Sequence, residues 1–259
     1  MKVKFSANEI IALLVSSLVL GIVFGFDDGR ETFNPELWFS NYVSMVFLSL
    51  IMLGIFVGAQ KAIAARYGCA VEYNIWKFRR FGFGKSEYLH APGEKRERQG
   101  GNIGIPLGII LPLVIAFLSD GKAFFAVTGM AVVAAKAAHR LGRPFAHVTE
   151  METAKITAAG PLACASVMLI LKSIGSAEVL VQNGIVISMA LAIANMIPLP
   201  KIAGGTIFFA SKFFYVFSLI FILVAAIVAW FISARLAVIL ALVLAISVVT
   251  FTYYYMEMK

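Results

Sequence analysis

An all-α polytopic membrane protein is the fold class this sequence predicts. It should have about 6–8 transmembrane helices and a possible small re-entrant or strand-containing element at the membrane edge. Composition is the first observation behind this: of 259 residues, 61% are hydrophobic and 14% charged, against roughly 45–50% and about 25% in soluble domains. The second is distribution, because apolar runs of near-spanning length recur from one end of the chain to the other. Such an excess does not fit inside one water-soluble core, which excludes soluble enzymes, secreted disulfide scaffolds and disordered tails.

The elements follow in order. Residues 10–26 form the first apolar run, and Ser6 or Asn8 stands where a helix cap belongs. Two lysines precede it as they would in a signal peptide. No small-residue cleavage site follows, only Phe24-Gly-Phe-Asp-Asp28, so the segment is expected to be a retained helix. The second run extends over 37–65 and meets no charge until Lys61. Two short runs, 103–118 and 123–138, predict either two thin spans or one re-entrant hairpin. Runs at 156–174, 179–199, 213–232 and 236–255 complete the set. The whole reads as one transmembrane domain: N-terminal spans over 1–76, a basic loop over 77–102, a core over 103–212 and a C-terminal helical hairpin over 213–259.

Charge predicts orientation. Lys77, Arg79, Arg80, Lys85, Lys95, Arg96 and Arg98 crowd one loop, and Lys136, Arg140, Arg143 and Lys155 mark another. Asp27, Asp28, Glu31 and Glu36 follow the first run instead. Counting lysine and arginine places the N-terminus and both basic loops on the cytoplasmic side, and both termini there if the short pair crosses twice. The net charge of +8 then serves topology and anionic lipid, and no nucleic-acid partner is expected. Cys69 and Cys164 make no disulfide framework.

Polar or irregular segments inside lipid are where chemistry is sought. Gly54, Gly58, Ala62 and Ala65 set small side chains three or four apart, a spacing that lets a helix or backbone approach closely. In Thr157-Ala-Ala-Gly-Pro-Leu-Ala-Cys164, Pro161 is expected in the first turn or two of a span, where its missing N–H does little harm. In Asn195-Met-Ile-Pro-Leu-Pro-Lys-Ile-Ala-Gly-Gly205, two prolines and two glycines break a helix at membrane depth.

Taken together, these segments resemble the site-2 protease family of intramembrane zinc proteases, particularly its archaeal branch. Ala64-Ala-Arg-Tyr-Gly-Cys-Ala-Val-Glu-Tyr-Asn-Ile-Trp76 looks like the stretch after the family's zinc-binding helix, and Ala159-Gly-Pro-Leu162 like its Gly-Pro helix start. Asn195-Met-Ile-Pro-Leu-Pro200 with Gly204-Gly205 looks like its Asn-x-x-Pro-x-Pro-x-x-Asp-Gly element, and Phe5-Ser-Ala-Asn-Glu9 is similar to its opening.

The departures fall on the chemistry. The family places His-Glu-x-x-His on its second helix, two imidazoles for zinc and a carboxylate as general base. In register, that motif lies over Phe56, Val57, Gly58, Ala59 and Gln60. The aspartate ligand falls on Ala203, and the asparagine after Gly-Pro falls on Cys164. A catalytic zinc needs about three protein ligands and an open position, so the resemblance implies a degenerate site with no zinc cofactor. His139, His147 and Glu150 are the one alternative ligand set; His90 sits in a charged loop.

The expectation is a pseudo-protease that binds, sequesters or helps assemble other membrane proteins through their transmembrane segments. Gly54, Gly58, Cys164, Asn195, Pro198 and Gly204 would shape its cavity. The rivals are an active intramembrane zinc endopeptidase with relocated ligands, and a structural subunit or small-solute carrier on the same shell. The carrier lacks an inverted repeat and any evident buried acidic coupling residue.

Overall fold

The computed structural model describes residues 5–27, 34–77, 104–135, 148–175 and 178–231. Seven helices and two strands run in the order α1 (Ala7–Gly25), α2 (Pro35–Arg66), β1 (Cys69–Ile75), α3 (Leu107–Leu118), β2 (Gly129–Ala135), α4 (Glu150–Ile174), α5 (Val179–Ala194), α6 (Ala203–Ala210) and α7 (Lys212–Phe231). The described chain is mostly helical, and α1, α2, α4 and α7 are long and apolar enough to cross a membrane.

Four such helices are fewer than the sequence predicts, and the reasons are local. The run 103–118 yields only the 12-residue α3, about 18 Å of helix against a hydrocarbon core of about 30 Å. The run 123–138 is extended rather than helical. Its Gly-Met-Ala-Val-Val-Ala-Ala core is β2, paired to β1. The strand-containing element is therefore present, and the described residues 104–135 form one short helix and one strand in place of two spans. The 16-residue α5 stops at Ala194, ahead of the proline-rich turn. The run 236–255, most of both basic loops, and His90, His139 and His147 lie outside the described residues.

Sequence-coded caps set the helix starts. Ser6 caps α1 in a reciprocal box with Glu9: Ser6 Oγ accepts from the Glu9 N–H while Glu9 accepts from the Ser6 N–H, both at 3.3 Å. Thr149 and Glu152 form the same box on α4. This box starts α4 at Glu150, ahead of the expected 156, so Pro161 lies about three turns inside the helix. Ala159-Gly-Pro-Leu162 is thus not a helix start. At the end of α2, Gly68 adopts φ 66°, a left-handed turn open to glycine, and the chain reverses directly into β1.

Packing centres on α4, which touches α2, α5, α6 and α7. Helix α1 lies along α2 so closely that a Cβ on Gly21 would strike Val46. The antiparallel sheet, with Tyr73 opposite Ala131, rests against both of these helices through β1. One apolar cluster, including Leu20, Leu53, Phe56, Met168, Leu191 and Ile207, unites the bundle. Its outer faces are apolar too: Leu14, Leu18, Phe47, Ile51, Ile220 and Ile227 are exposed, the pattern of helices solvated by lipid rather than water.

Candidate functional site

Phe56, Val57 and Gln60 share the buried side of α2, and Phe56 and Gln60 face α4. Val57 has no exposed surface. The ring of Phe56 lies over Gly160, where an added Cβ would meet ring carbons at 2.7–2.8 Å. One turn on, Gln60 Nε2 donates to the Thr157 carbonyl at 3.1 Å. That bond has a specific cause. In an unbroken helix the carbonyl of residue 157 accepts from the N–H of residue 161, but Pro161 has none. Gln60 thus supplies, from a neighbouring helix, the donor that α4 lacks. Its Oε1 is buried without a hydrogen-bond partner among the described residues.

Cys164 is wholly buried on α4, one turn past Gly160. Ala203 opens α6 at 7% exposure. None of Phe56, Val57 and Ala203 carries a lone pair for zinc, and the aromatic ring fills the space over Gly160. These residues do not fit a zinc ion, and no hydrolytic step follows from them. Among the described residues no group of three His, Cys, Asp or Glu side chains is placed to hold a metal. Glu150 sits instead on the rim of a cleft of about 220 Å³ lined by Val148, Thr153, Thr206, Phe209 and Ala210.

The residues expected to shape one cavity are dispersed. Asn195 ends α5; its side-chain amide donates to Leu191 O at 2.9 Å and its carbonyl accepts from the Gly204 N–H at 2.8 Å. Gly204 is pressed against the Met196 carbonyl, whose oxygen also accepts from the Tyr215 hydroxyl at 3.0 Å. The proline-rich turn is therefore closed on itself, with Pro198 exposed. Gly54 and Gly58 are each two residues from Phe56, hence on the far side of α2. A Cβ added at either would meet nothing within 4 Å. They lie beside exposed Phe47, Ile51 and Ala62, so the small-residue face is not packed against the described chain.

A polar cluster missed by the sequence reading lies between α1, α2 and the sheet. Glu9 is 1% exposed and Lys61 8%, with Nζ 2.6 Å from Oε2. The ammonium also lies 4.1 Å from the Phe5 ring centroid. Glu9 Oε1 accepts from the Tyr73 backbone N–H at 3.0 Å. The Tyr73 hydroxyl donates to Ser16 Oγ at 3.1 Å and pairs with Thr128 Oγ1 at 2.8 Å. Its ring occupies the space a side chain on Gly129 would take. Burial pushes the Tyr73 phenol above its ordinary range, a rise that the Ser16 and Thr128 hydrogen bonds reduce. The signal was available: Glu9 immediately precedes the first run and Lys61 is the first charge within the second. Their partnership is set by how α1 lies on α2.

The sheet has two unequal edges. Trp76 N–H donates to Thr128 O at 3.0 Å, so by alternation residues 70, 72 and 74 point their backbone groups at β2 and 71, 73 and 75 point away. On β2, Gly129, Ala131 and Val133 point away from β1. Their backbone groups have no hydrogen-bond partner among the described residues.

Comparison with protein-family models, with curated proteins and with solved structures finds no match to this chain.

Proposed function

We propose that this protein is a catalytically inactive, site-2-protease-like membrane protein that captures the transmembrane segments of client membrane proteins, for sequestration or assembly. The edge of β2, unpaired among the described residues, carries the reading. Unwound backbone in lipid needs donors and acceptors from protein, and the outward groups of the partly exposed Ala131 and Val133 supply them to an added strand. The unfilled face at Gly54 and Gly58 supports it, because small residues let a client helix come close before it unwinds. The residues in the zinc-ligand register support inertness, since a phenyl ring and aliphatic side chains neither bind the metal nor accept a proton. Multi-pass insertion with both termini and both basic loops on the cytoplasmic side belongs to the same proposal.

The experiment is affinity purification from membranes after cross-linking, comparing the parent protein with Gly58→Leu. Loss of co-purifying membrane proteins at unchanged expression is expected; an unchanged partner list overturns the capture reading. Elemental analysis of the same sample tests inertness, and stoichiometric zinc would overturn that part.

A further inference from the structure

The cleft between the start of α4 and the end of α6 has a lining of one chemical sense. Its walls are Val148, Glu150, Thr153, Thr206, Phe209 and Ala210, and none of these side chains carries an N–H. A threonine hydroxyl has a single proton to donate, and both here direct it to their own helices. Thr153 Oγ1 donates to Thr149 O at 3.1 Å, and Thr206 Oγ1 to Ile202 O at 3.0 Å. What the two hydroxyls still offer a ligand is lone pairs. The ionised Glu150 carboxylate only accepts as well. Phe209, 77% exposed, adds an aromatic ring whose face attracts a cation. An anion drawn to the positive end of α4 would meet the carboxylates of Glu150 and Glu152 in its first turn. Three acceptors, one negative charge and a ring suit a primary ammonium, which has three N–H donors.

The neighbouring surface indicates what carries that ammonium. Beyond the break at Ser211, α7 exposes Phe213, Val216, Ile220, Leu223, Ile227 and Trp230. Their spacing of three and four sets them in one stripe along a helix long enough to cross a membrane. The stripe begins just after Ala210 of the cleft wall, so a headgroup in the cleft has an apolar track for its acyl chains.

We propose that this cleft binds phosphatidylethanolamine, with the ammonium against Glu150, Thr153 and Thr206 and the acyl chains along α7. The site goes beyond client capture and shares no residue with β2 or with the face at Gly54 and Gly58. It gives the protein a specific lipid partner that ties the start of α4 to α6.

The test is native mass spectrometry of the full chain released from nanodiscs. These contain equal parts of dioleoyl phosphatidylethanolamine, phosphatidylcholine and phosphatidylglycerol. Phosphatidylethanolamine is expected to be retained about tenfold over phosphatidylcholine, because N-methylation removes every donor to a charged acceptor. Glu150→Gln keeps the side-chain shape without the charge and is expected to abolish that preference. Thr206→Val, on the other helix, should lower it several-fold and carries the comparison if the first variant does not fold. Equal retention of the two lipids by the parent, or an unchanged preference in a folded variant, overturns the proposal. Preferential retention of phosphatidylglycerol marks an anion site and overturns it too. Water-soluble phosphoethanolamine at the concentration of the lipid is expected to leave the lipid bound. Full displacement would make the ligand a free amine and overturn the lipid as occupant.

Discussion

Lys61 Nζ lies 2.6 Å from Glu9 Oε2, with both side chains almost wholly withdrawn from solvent. Each charge is tolerable there because of the other. Removing one partner of a buried pair typically costs about 3–5 kcal/mol, while replacing both with apolar groups is often neutral. Glu9→Ala alone is therefore expected to lower the unfolding midpoint in detergent strongly. Lys61→Met added to it should restore the part due to the unpaired ammonium, leaving the loss of the Ser6 and Tyr73 N–H acceptors, and additive losses would refute the pairing.

Gln60 and Pro161 form a second coupled pair. Gln60→Leu leaves the Thr157 carbonyl without a donor, a loss of about 1–3 kcal/mol. Pro161→Ala supplies the missing N–H, so Gln60→Leu should be far milder in that background. A double-mutant cycle with no coupling energy would show that the amide does not serve this carbonyl.

Glycines on the two sides of α2 and α4 should respond oppositely. Gly160→Ala drives a methyl into the Phe56 ring and should destabilise by about 1–3 kcal/mol, relieved when Phe56 is shortened to leucine. Gly58→Ala meets nothing within 4 Å. By helix propensity it should stabilise the protein by about 0.5–1 kcal/mol. Thermal unfolding of the two variants checks both signs.

Tyr73 predicts an alkaline limit. It lies on β1, outside the four long apolar helices, and its phenol is raised from 10.0 chiefly by burial. Below pH 10 it is protonated folded or unfolded, and its contribution is fully present. As pH climbs from there through the higher folded value, the unfolded chain ionises first and that stability is lost. Unfolding above about pH 10 should accompany a late rise in tyrosinate absorbance. Tyr73→Phe should reduce this pH-dependent part.

Sequence alone determined that the chain has helices apolar enough for a membrane, and much of its local punctuation. Apolar runs gave α1, α2 and α7 closely, because a helix in lipid satisfies its own backbone and needs only length and hydropathy to declare itself. A cap at Ser6 or Asn8 was legible for the same local reason, and so was a break at the proline-rich segment after Ala194. The Thr149 box was equally local but lay ahead of the apolar run, and α4 was placed too late. Tertiary structure decided the rest. Residues 129–135 are as apolar as many helices, and only pairing with β1 makes them a strand. Gln60 carries no mark of its bond to Thr157 until α2 lies on α4. The meeting of Glu9 with Lys61 and Tyr73 joins residues up to 64 positions apart. Such contacts depend on which helix faces which, and neither periodicity nor spacing along one chain encodes that choice.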